Sequence, residues 1–405
     1  MQVEMTSLIH QLAIGLDFVE AELLGAQTNH GKRLSLLSSN MAKVLELPEA
    51  EIMTLSLLAP LHDNALTEYI AGELDSNNAE IWKHCKIGQD NIEKLRFPSP
   101  VKDIILYHHE FPDGTGVFGK KEGEISIEAE ILALTDLIDL RFGLGQLPKG
   151  EIPAALEFVR ENRGELFFTR AADAFIKIFN EKLLEQLYDT NIENSIKELS
   201  VEWYADLNNQ DLMNLSKFVM EVIDYKSKFT RRHSSQIANR AWLMAKHYEY
   251  ETDDCVKLYL SAAFHDLGKL TIPPQILEKE GILTDEEFEV IKSHVWWTHE
   301  LLKDVKGFEK ICYWAAAHHE KLDGTGYPFK RKAKELDFFA RLLAVIDIYQ
   351  AISEERPYHP QRSHEETMAI IYSMAEKGFI DTGIVEDIDV AMKPFSMKNV
   401  PKPVM

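Results

Sequence analysis

Apolar residues recur at spacings of three and four along nearly the whole chain, and the strict alternation that marks strands is scarce. This periodicity predicts an all-α fold. In the second half the candidate helices cover residues 233–248, 252–268, 283–302, 308–320 and 336–352. A loop over residues 322–334, with glycines, a proline and a basic run, is expected to connect the last two of these helices.

The chain also repeats itself. Seven His and Asp positions recur with offsets of 203, 210 or 211 residues. The first copy consists of His30, His62, Asp63, His84, His108, His109 and Asp136, and the second of His233, His265, Asp266, His294, His318, His319 and Asp347. Asp-Gly-Thr-Gly follows the His-His-Glu of both copies. So regular a match indicates a duplication, with two tandem helical bundles over residues 1–195 and 196–405.

The repeated residues have the chemistry of a metal site. Each candidate helix of the second half carries one of them or an adjacent pair, and helical bundles build metal sites by projecting such side chains inward. Five imidazoles and two carboxylates suit iron, manganese, zinc, cobalt or nickel better than magnesium or calcium. Seven ligands exceed the need of one ion, so we expect two ions that share the carboxylate of Asp266. Such a pair can activate water and hold a phosphodiester.

Composition and charge limit the cellular location and the classes of binding partner. The 405 residues are 45% hydrophobic and 27% charged, which fits ordinary globular packing. The three cysteines are far apart, and no apolar run approaches the length of a membrane span, so we expect a cytoplasmic protein without a membrane segment. A net charge of -22 disfavours a nucleic-acid polymer as partner. A small anion stays compatible, because bound metals reverse the field locally.

The second half resembles a known family. HDLGK from His265, HHEKLDGTGYP from His318 and ARLLAVIDIYQAISEERPY from Ala340 resemble the HD-GYP family of the HD phosphohydrolase superfamily, whose members hydrolyse cyclic di-GMP and related cyclic dinucleotides. The match covers about residues 225–375. With the first copy included, the chain is similar to the tandem HD plus HD-GYP proteins, some of which act on 3′3′-cyclic GMP-AMP.

The resemblance implies roles for individual residues. One metal would be held by His233, His265, Asp266 and Asp347, and the other by Asp266, His294, His318 and His319. Lys269 would contact the substrate phosphate and favour departure of the leaving oxygen, which makes Asp266 and Lys269 the expected catalytic residues. Arg356 would clamp a phosphate, and Tyr327 would line the nucleotide pocket.

The chain departs from the family pattern at several positions. Phe229 stands where members with a third metal have Glu, so we expect two ions, and His359 follows ERPY where many members have a basic residue. In the first copy Leu66, Val117 and Gly145 stand where the second has Lys269, Tyr327 and Arg356. We interpret residues 1–195 as a degenerate module for regulation or dimerisation, with a second active site as the weaker alternative.

Other readings stay open from the sequence alone. The leading hypothesis is a cyclic-dinucleotide phosphodiesterase that gives the linear dinucleotide. One rival is a non-catalytic nucleotide receptor or scaffold for a cyclase, and another is a phosphohydrolase of mononucleotides or alarmones. The choice between 3′3′-cyclic GMP-AMP and cyclic di-GMP, the identity of the metals and the formation of a homodimer are also open.

Overall fold

A computed structural model of the chain describes residues 1–66, 81–199, 201–226, 233–279, 281–354 and 361–395. Its residues form two compact units. The N-terminal unit is Glu4–Ala205, and the C-terminal unit is Met1–Val3 with Asp206–Met405. The predicted all-α class is confirmed, because the regular strands in these ranges are only β1 (Gln2–Glu4) and β2 (Tyr204–Asp206), which pair with each other.

The N-terminal unit is built around one buried helix. Its described helices are α1 (Met5–Leu24), α2 (His30–Val44), α3 (Glu49–Leu58), α4 (Ile81–Ile92), α5 (Ile127–Phe142), α6 (Ile152–Glu161), α7 (Thr169–Ile178), α8 (Glu181–Leu187) and α9 (Ile192–Leu199). Helix α2 packs against α3, α5, α7 and α9. Because α9 packs on α2, the unit extends beyond residue 195, where the sequence had suggested a boundary.

The C-terminal unit also packs around a buried helix, although this helix is not the counterpart of α2. Its described helices are α10 (Asn209–Tyr225), α11 (His233–His247), α12 (Thr252–Phe264), α13 (Pro274–Leu277), α14 (Asp285–Leu302), α15 (Glu309–Ala315), α16 (Phe338–Ser353), α17 (His364–Glu376) and α18 (Thr382–Met392). Helix α12 packs against α10, α11 and α15, and Leu258, Leu260 and Phe264 are fully buried in these contacts. None of the helices in the described ranges combines the length and apolarity needed to cross a membrane.

Helix α12 ends earlier than the periodicity predicted. The expected helix ran to residue 268, but α12 stops at Phe264 and a 3₁₀ turn follows over Leu267–Thr271. The hydroxyl of Thr298 on α14 accepts from the Gly268 amide at 3.0 Å and donates to the His265 carbonyl at 3.0 Å. The Thr298 side chain thus forms hydrogen bonds with an amide and a carbonyl that a longer α12 would have paired within the helix.

A glycine lets this turn lie directly on α14. A Cβ added at Gly268 would stand 2.0 Å from the carbonyl oxygen of His294. In the N-terminal unit the corresponding turn position is Ala65, and the residue that corresponds to Thr298 is Gly88 on α4. A Cβ added at Gly88 would stand 3.4 Å from Asn64 Nδ2 and 3.7 Å from the His62 carbonyl oxygen, which are ordinary contact distances. The approach that excludes a Cβ from the turn therefore belongs to the C-terminal unit.

We predict that Gly268→Ala destabilises the C-terminal unit, because the added methyl group meets main-chain atoms of α14. Overpacking of this kind costs about 1–3 kcal/mol. Denaturant titration of the free energy of unfolding should show this loss, while Gly281→Ala, whose Cβ would meet only the end of the Lys279 side chain at 4.0 Å, serves as the control. A Gly268→Ala protein as stable as the control would show that the contact is dispensable.

Candidate metal centre

Five segments of the C-terminal unit converge on one buried centre. His233 opens α11, His265 and Asp266 follow α12, and His294 lies within α14. His318 and His319 follow α15, and Asp347 lies on α16. Potential metal-ligating atoms within 4.8 Å of one another include two sets of three. The first set is His233, His265 and Asp347, and the second is His294, His318 and His319.

Backbone carbonyls orient three of these imidazoles. Nδ1 of His265, His294 and His318 lies 2.7, 2.6 and 2.6 Å, respectively, from the carbonyl oxygen three residues earlier. A carbonyl only accepts, so each Nδ1 carries the proton and each Nε2 keeps its lone pair for the centre. The helix predicted over residues 308–320 ends at Ala315 in the structure, and His318 Nδ1 donates to the carbonyl of that last residue.

Asp266 lies between the two sets. Its Oδ2 is 3.1 Å from His265 Nε2, whereas its Oδ1 is 3.3 Å from His294 Nε2. Burial on its own would raise the pKa of this carboxyl, but its interactions with His265 and with the Lys269 charge outweigh burial and hold the pKa well below its usual range. Asp266 is therefore an ionised carboxylate that presents one oxygen to each set, the arrangement needed of a shared ligand.

The second set requires a cation. Burial lowers the pKa of His294 to about 3 and also lowers the pKa values of His318 and His319, so all three rings are neutral near pH 7. Nε2 of His294 and Nε2 of His318 are 3.4 Å apart, and both carry lone pairs. Two lone pairs aimed at the same buried space repel unless a positive charge lies between them or beside them. The donor set thus fits a divalent metal ion.

Carboxylates support the first histidine of each unit. Nδ1 of His233 lies 2.8 Å from Glu354 Oε2, and Nδ1 of His30 lies 2.6 Å from Asp139 Oδ2. Such a bond fixes the ring and raises its basicity as a ligand. Sequence reasoning missed both carboxylates. Glu354 lies at the end of α16 and Asp139 within α5, so they occupy unlike positions in the two copies, and the duplication offers no signal for them.

The proposed substrate contacts are placed around this centre. Lys269 Nζ lies 2.5 Å from Asp266 Oδ2. The Tyr327 ring is centred 4.9 Å from the ring of His319, whose side chain is 29% exposed and is the most accessible of the seven. The open side of the centre therefore lies toward His319 and Tyr327. Arg356, Phe229 and His359 lie outside the described residues.

The N-terminal unit gathers its copy in the same way. Two sets with metal-ligating atoms within 4.8 Å occur, His30 with His62 and Asp136, and Asp63 with His84, His108 and His109. Asp63 again lies between the sets, with Oδ2 3.6 Å from His62 Nε2 and Oδ1 2.8 Å from His84 Nε2. Leu66, which corresponds to Lys269, is an apolar residue with 5% exposure, so this unit has no counterpart of the lysine charge.

Several atoms of this N-terminal centre are buried without a hydrogen-bond partner. They include His62 Nε2, His108 Nε2, Asp136 Oδ1 and Glu20 Oε2. Glu20 lies on α1, is 1% exposed, and brings Oε2 to 4.0 Å from His30 Nε2. Unsatisfied buried groups that converge in this way call for an ion or water. Glu20 was not among the residues chosen from the sequence, because it has no counterpart in the repeated set.

The repeated loop is largely structural. Asp323 Oδ1 accepts from the Thr325 amide at 2.9 Å, and Glu320 accepts from the amides of Phe329 and Arg331 at 2.8 and 2.9 Å. In the N-terminal unit Asp113 and Glu110 make the corresponding bonds to the amides of Thr115, Phe118 and Lys120. His-His-Glu and Asp-Gly-Thr-Gly thus build the loop in both units. What differs is the side chain it presents, Tyr327 or Val117.

Comparison with known proteins agrees with this duplicated centre. The HD domain family matches residues 21–165 and 217–384. A 3′3′-cGAMP-specific phosphodiesterase of Vibrio cholerae is 26% identical over 89% of this chain and 86% of its own length. A cyclic di-GMP phosphodiesterase of Pseudomonas aeruginosa is 29% identical over 52% of this chain and 50% of its own length.

A solved structure shares the fold. The crystal structure of a cyclic GMP-AMP-specific phosphodiesterase from V. cholerae superposes with a TM-score of 0.67 at 22% identity, and the match covers 98% of this chain and 99% of that one. At this identity the likeness concerns the fold. It extends over both of the units described above.

We predict that metal uptake by the C-terminal unit releases protons near pH 7. Burial would lower the pKa of His233, but hydrogen bonds to Asp347 and Glu354 outweigh burial and raise it to about 9. In the metal-free protein His233 is therefore protonated, and a metal must displace the proton on Nε2. Apparent metal affinity should then increase as the pH rises toward 9.

Titration calorimetry in buffers of different ionisation enthalpy measures this release. Glu354→Gln removes one of the charges that raise the pKa of His233, so this variant should release fewer protons. Metal affinity that stays constant or falls between pH 6.5 and pH 9 would contradict the assignment of His233 as a ligand.

Proposed function

This chain belongs to the HD domain family, and on that premise we propose that its C-terminal unit hydrolyses a phosphodiester bond of a cyclic dinucleotide with divalent metal ions. The observation that carries the proposal is the carboxylate of Asp266, which lies between two imidazole sets and beside Lys269. Hydrolysis adds the oxygen of water to phosphorus, breaks one bond from phosphorus to a ribose oxygen and leaves a proton on that oxygen. The product is the linear dinucleotide.

Two transition-metal ions would be held by the seven ligands. His233, His265 and Asp347 would bind one ion, His294, His318 and His319 the other, and Asp266 both. Ions of this class polarise phosphoryl oxygens and lower the pKa of bound water. The preponderance of imidazole favours iron, manganese, cobalt, nickel or zinc over magnesium and calcium.

Lys269 is proposed as the cation that meets the scissile phosphate. Its ammonium group is held at the shared carboxylate, so it can donate hydrogen bonds to a phosphate oxygen and stabilise charge on the departing oxygen. Tyr327 lies beside the exposed ligand His319, where it would form a wall of the nucleotide pocket. Arg356 is proposed as a phosphate clamp from its place in ERPY, and it lies outside the described residues.

The substrate that we favour is 3′3′-cyclic GMP-AMP. The V. cholerae relative named for this nucleotide aligns over most of the chain and so includes both units, whereas the relative named for cyclic di-GMP aligns over about half. The N-terminal unit lacks Lys269 and Tyr327 equivalents, so we assign hydrolysis to the C-terminal unit alone. A cytoplasmic location and a homodimer stay predictions.

Product analysis tests this proposal. The purified chain is incubated with 3′3′-cyclic GMP-AMP or cyclic di-GMP and with Mn²⁺ or Fe²⁺, and the products are separated by chromatography. We expect linear dinucleotide, formed faster from 3′3′-cyclic GMP-AMP, and no product after chelation of the metal. Full turnover in a metal-free preparation, or no cleavage of either nucleotide with any of the metals above, would refute it.

We predict that Lys269→Ala lowers turnover on the order of 100-fold or more, the usual effect of losing one preorganised charge at the reacting group. Metal content, measured by mass spectrometry of the elements, should stay near that of the parent protein because the ligands remain. Lys303→Ala is the matched control, since Lys303 also pairs with a carboxylate three residues earlier, Glu300, at 2.5 Å. Equal rates for the two variants would remove Lys269 from the mechanism.

A further inference from the structure

The N-terminal unit contains a cavity of about 510 Å³ that opens onto its own His and Asp cluster. His108, His109, Glu110 and Asp136 form one part of the lining, and aromatic and aliphatic side chains with one arginine form the rest. This volume lies within the range of pockets that hold small molecules. The cavity therefore joins a set of metal-ligating groups to an apolar chamber large enough for an organic ligand.

The metal-ligating groups at this cavity fit a cation. Asp136 Oδ1 and His108 Nε2 are buried without hydrogen-bond partners, and Glu20 Oε2 is a further such atom beside His30. A bound ion would satisfy these groups and would make this end of the cavity attractive to an anion. Phosphate oxygens are the natural anionic ligands for such an ion.

Arg141 supplies a second cationic feature. It lies on α5 five residues beyond Asp136, and its guanidinium carbon is 4.1 Å from the centre of the Phe158 ring. Within the described residues the guanidinium forms no hydrogen bond or ion pair, although it lines the cavity. Stacking on Phe158 orders the group and leaves its N–H donors for a ligand. Arginine in this state is suited to a phosphate.

The remaining walls suit a flat apolar group. Phe111, Leu140, Phe158 and Leu166 line the cavity, and Leu140 is 40% exposed although it is apolar. Nucleobases stack on aromatic side chains without the need for base-specific hydrogen bonds. A ligand that combines a phosphate for the metal end and Arg141 with a base for the aromatic wall is a nucleotide.

We propose that the N-terminal unit is a second nucleotide-binding site, with the phosphate held at its metal cluster and by Arg141 and the base against Phe158. The site binds without cleaving, because the apolar Leu66 stands where the C-terminal unit has the lysine proposed to assist the leaving group. The proposal goes beyond hydrolysis in the C-terminal unit and is tested by binding, so the two can fail separately.

The experiment uses the full chain with Asp266→Ala and Lys269→Ala, which disable the C-terminal centre. Equilibrium dialysis in Mn²⁺ measures the binding of GMP, AMP, 3′3′-cyclic GMP-AMP and inorganic phosphate. We expect at least one of the three nucleotides to bind at one molecule per chain, about tenfold or more tightly than phosphate because of base stacking. Adding Arg141→Ala should weaken that binding about tenfold or more.

Arg160→Ala is the matched control, since Arg160 is an exposed arginine of the same unit that pairs with Glu157 and does not line the cavity. Circular dichroism and thermal melting verify that each variant is folded. The proposal is overturned if none of the nucleotides binds, if none binds more tightly than inorganic phosphate, or if Arg141→Ala and Arg160→Ala have the same effect.

Discussion

The polar groups buried at the centre of each bundle are the constraint on which the rest of the structure depends. In the C-terminal unit, neutral imidazoles of His294 and His318 face each other at 3.4 Å, and the ionised Asp266 lies beside them with 2% exposure. Burial of such groups is costly unless a cation is present. Three features hold these groups in an arrangement that fits metal ions. They are the early ends of the helices before the histidines, the bonds from Nδ1 to backbone carbonyls, and the carboxylates that bond to the first histidine of each unit.

The duplication shows which parts of that arrangement are structural. Both units keep histidines bound to the carbonyl three residues earlier, His62 and His108 in one and His265, His294 and His318 in the other, and the loop organised by Glu110 or Glu320. By contrast, the charge of Lys269 and the ring of Tyr327 occur in one unit only. This pattern, in which the ligand geometry is retained and the substrate-contacting side chains differ, is expected if the N-terminal unit binds a ligand and the C-terminal unit also cleaves it.

Much of this could be predicted from the sequence, because histidine and aspartate at matched positions are rare enough to mark the cluster and its helices. The ends of α12 and α15 could not be predicted, because the backbone groups there bond to the side chains of Thr298 and His318. Glu354, Asp139 and Glu20 were also missed, because each meets its histidine through the fold and has no repeated position. The cavity beside Arg141 could not be predicted either, because Arg141 has no repeated counterpart and the C-terminal unit has Ile352 at the equivalent position.

The two units contain similar centres that differ in chemistry, and we assign hydrolysis to the C-terminal one. Comparing Asp266→Ala with Asp63→Ala tests this most directly, because each variant removes the carboxylate between the two imidazole sets of one unit. Both are verified to be folded and assayed with 3′3′-cyclic GMP-AMP at saturating Mn²⁺. We predict that Asp266→Ala lowers turnover on the order of 100-fold or more and that Asp63→Ala still cleaves the nucleotide at a rate well above that of Asp266→Ala. A folded Asp63→Ala protein as inactive as Asp266→Ala would contradict the account.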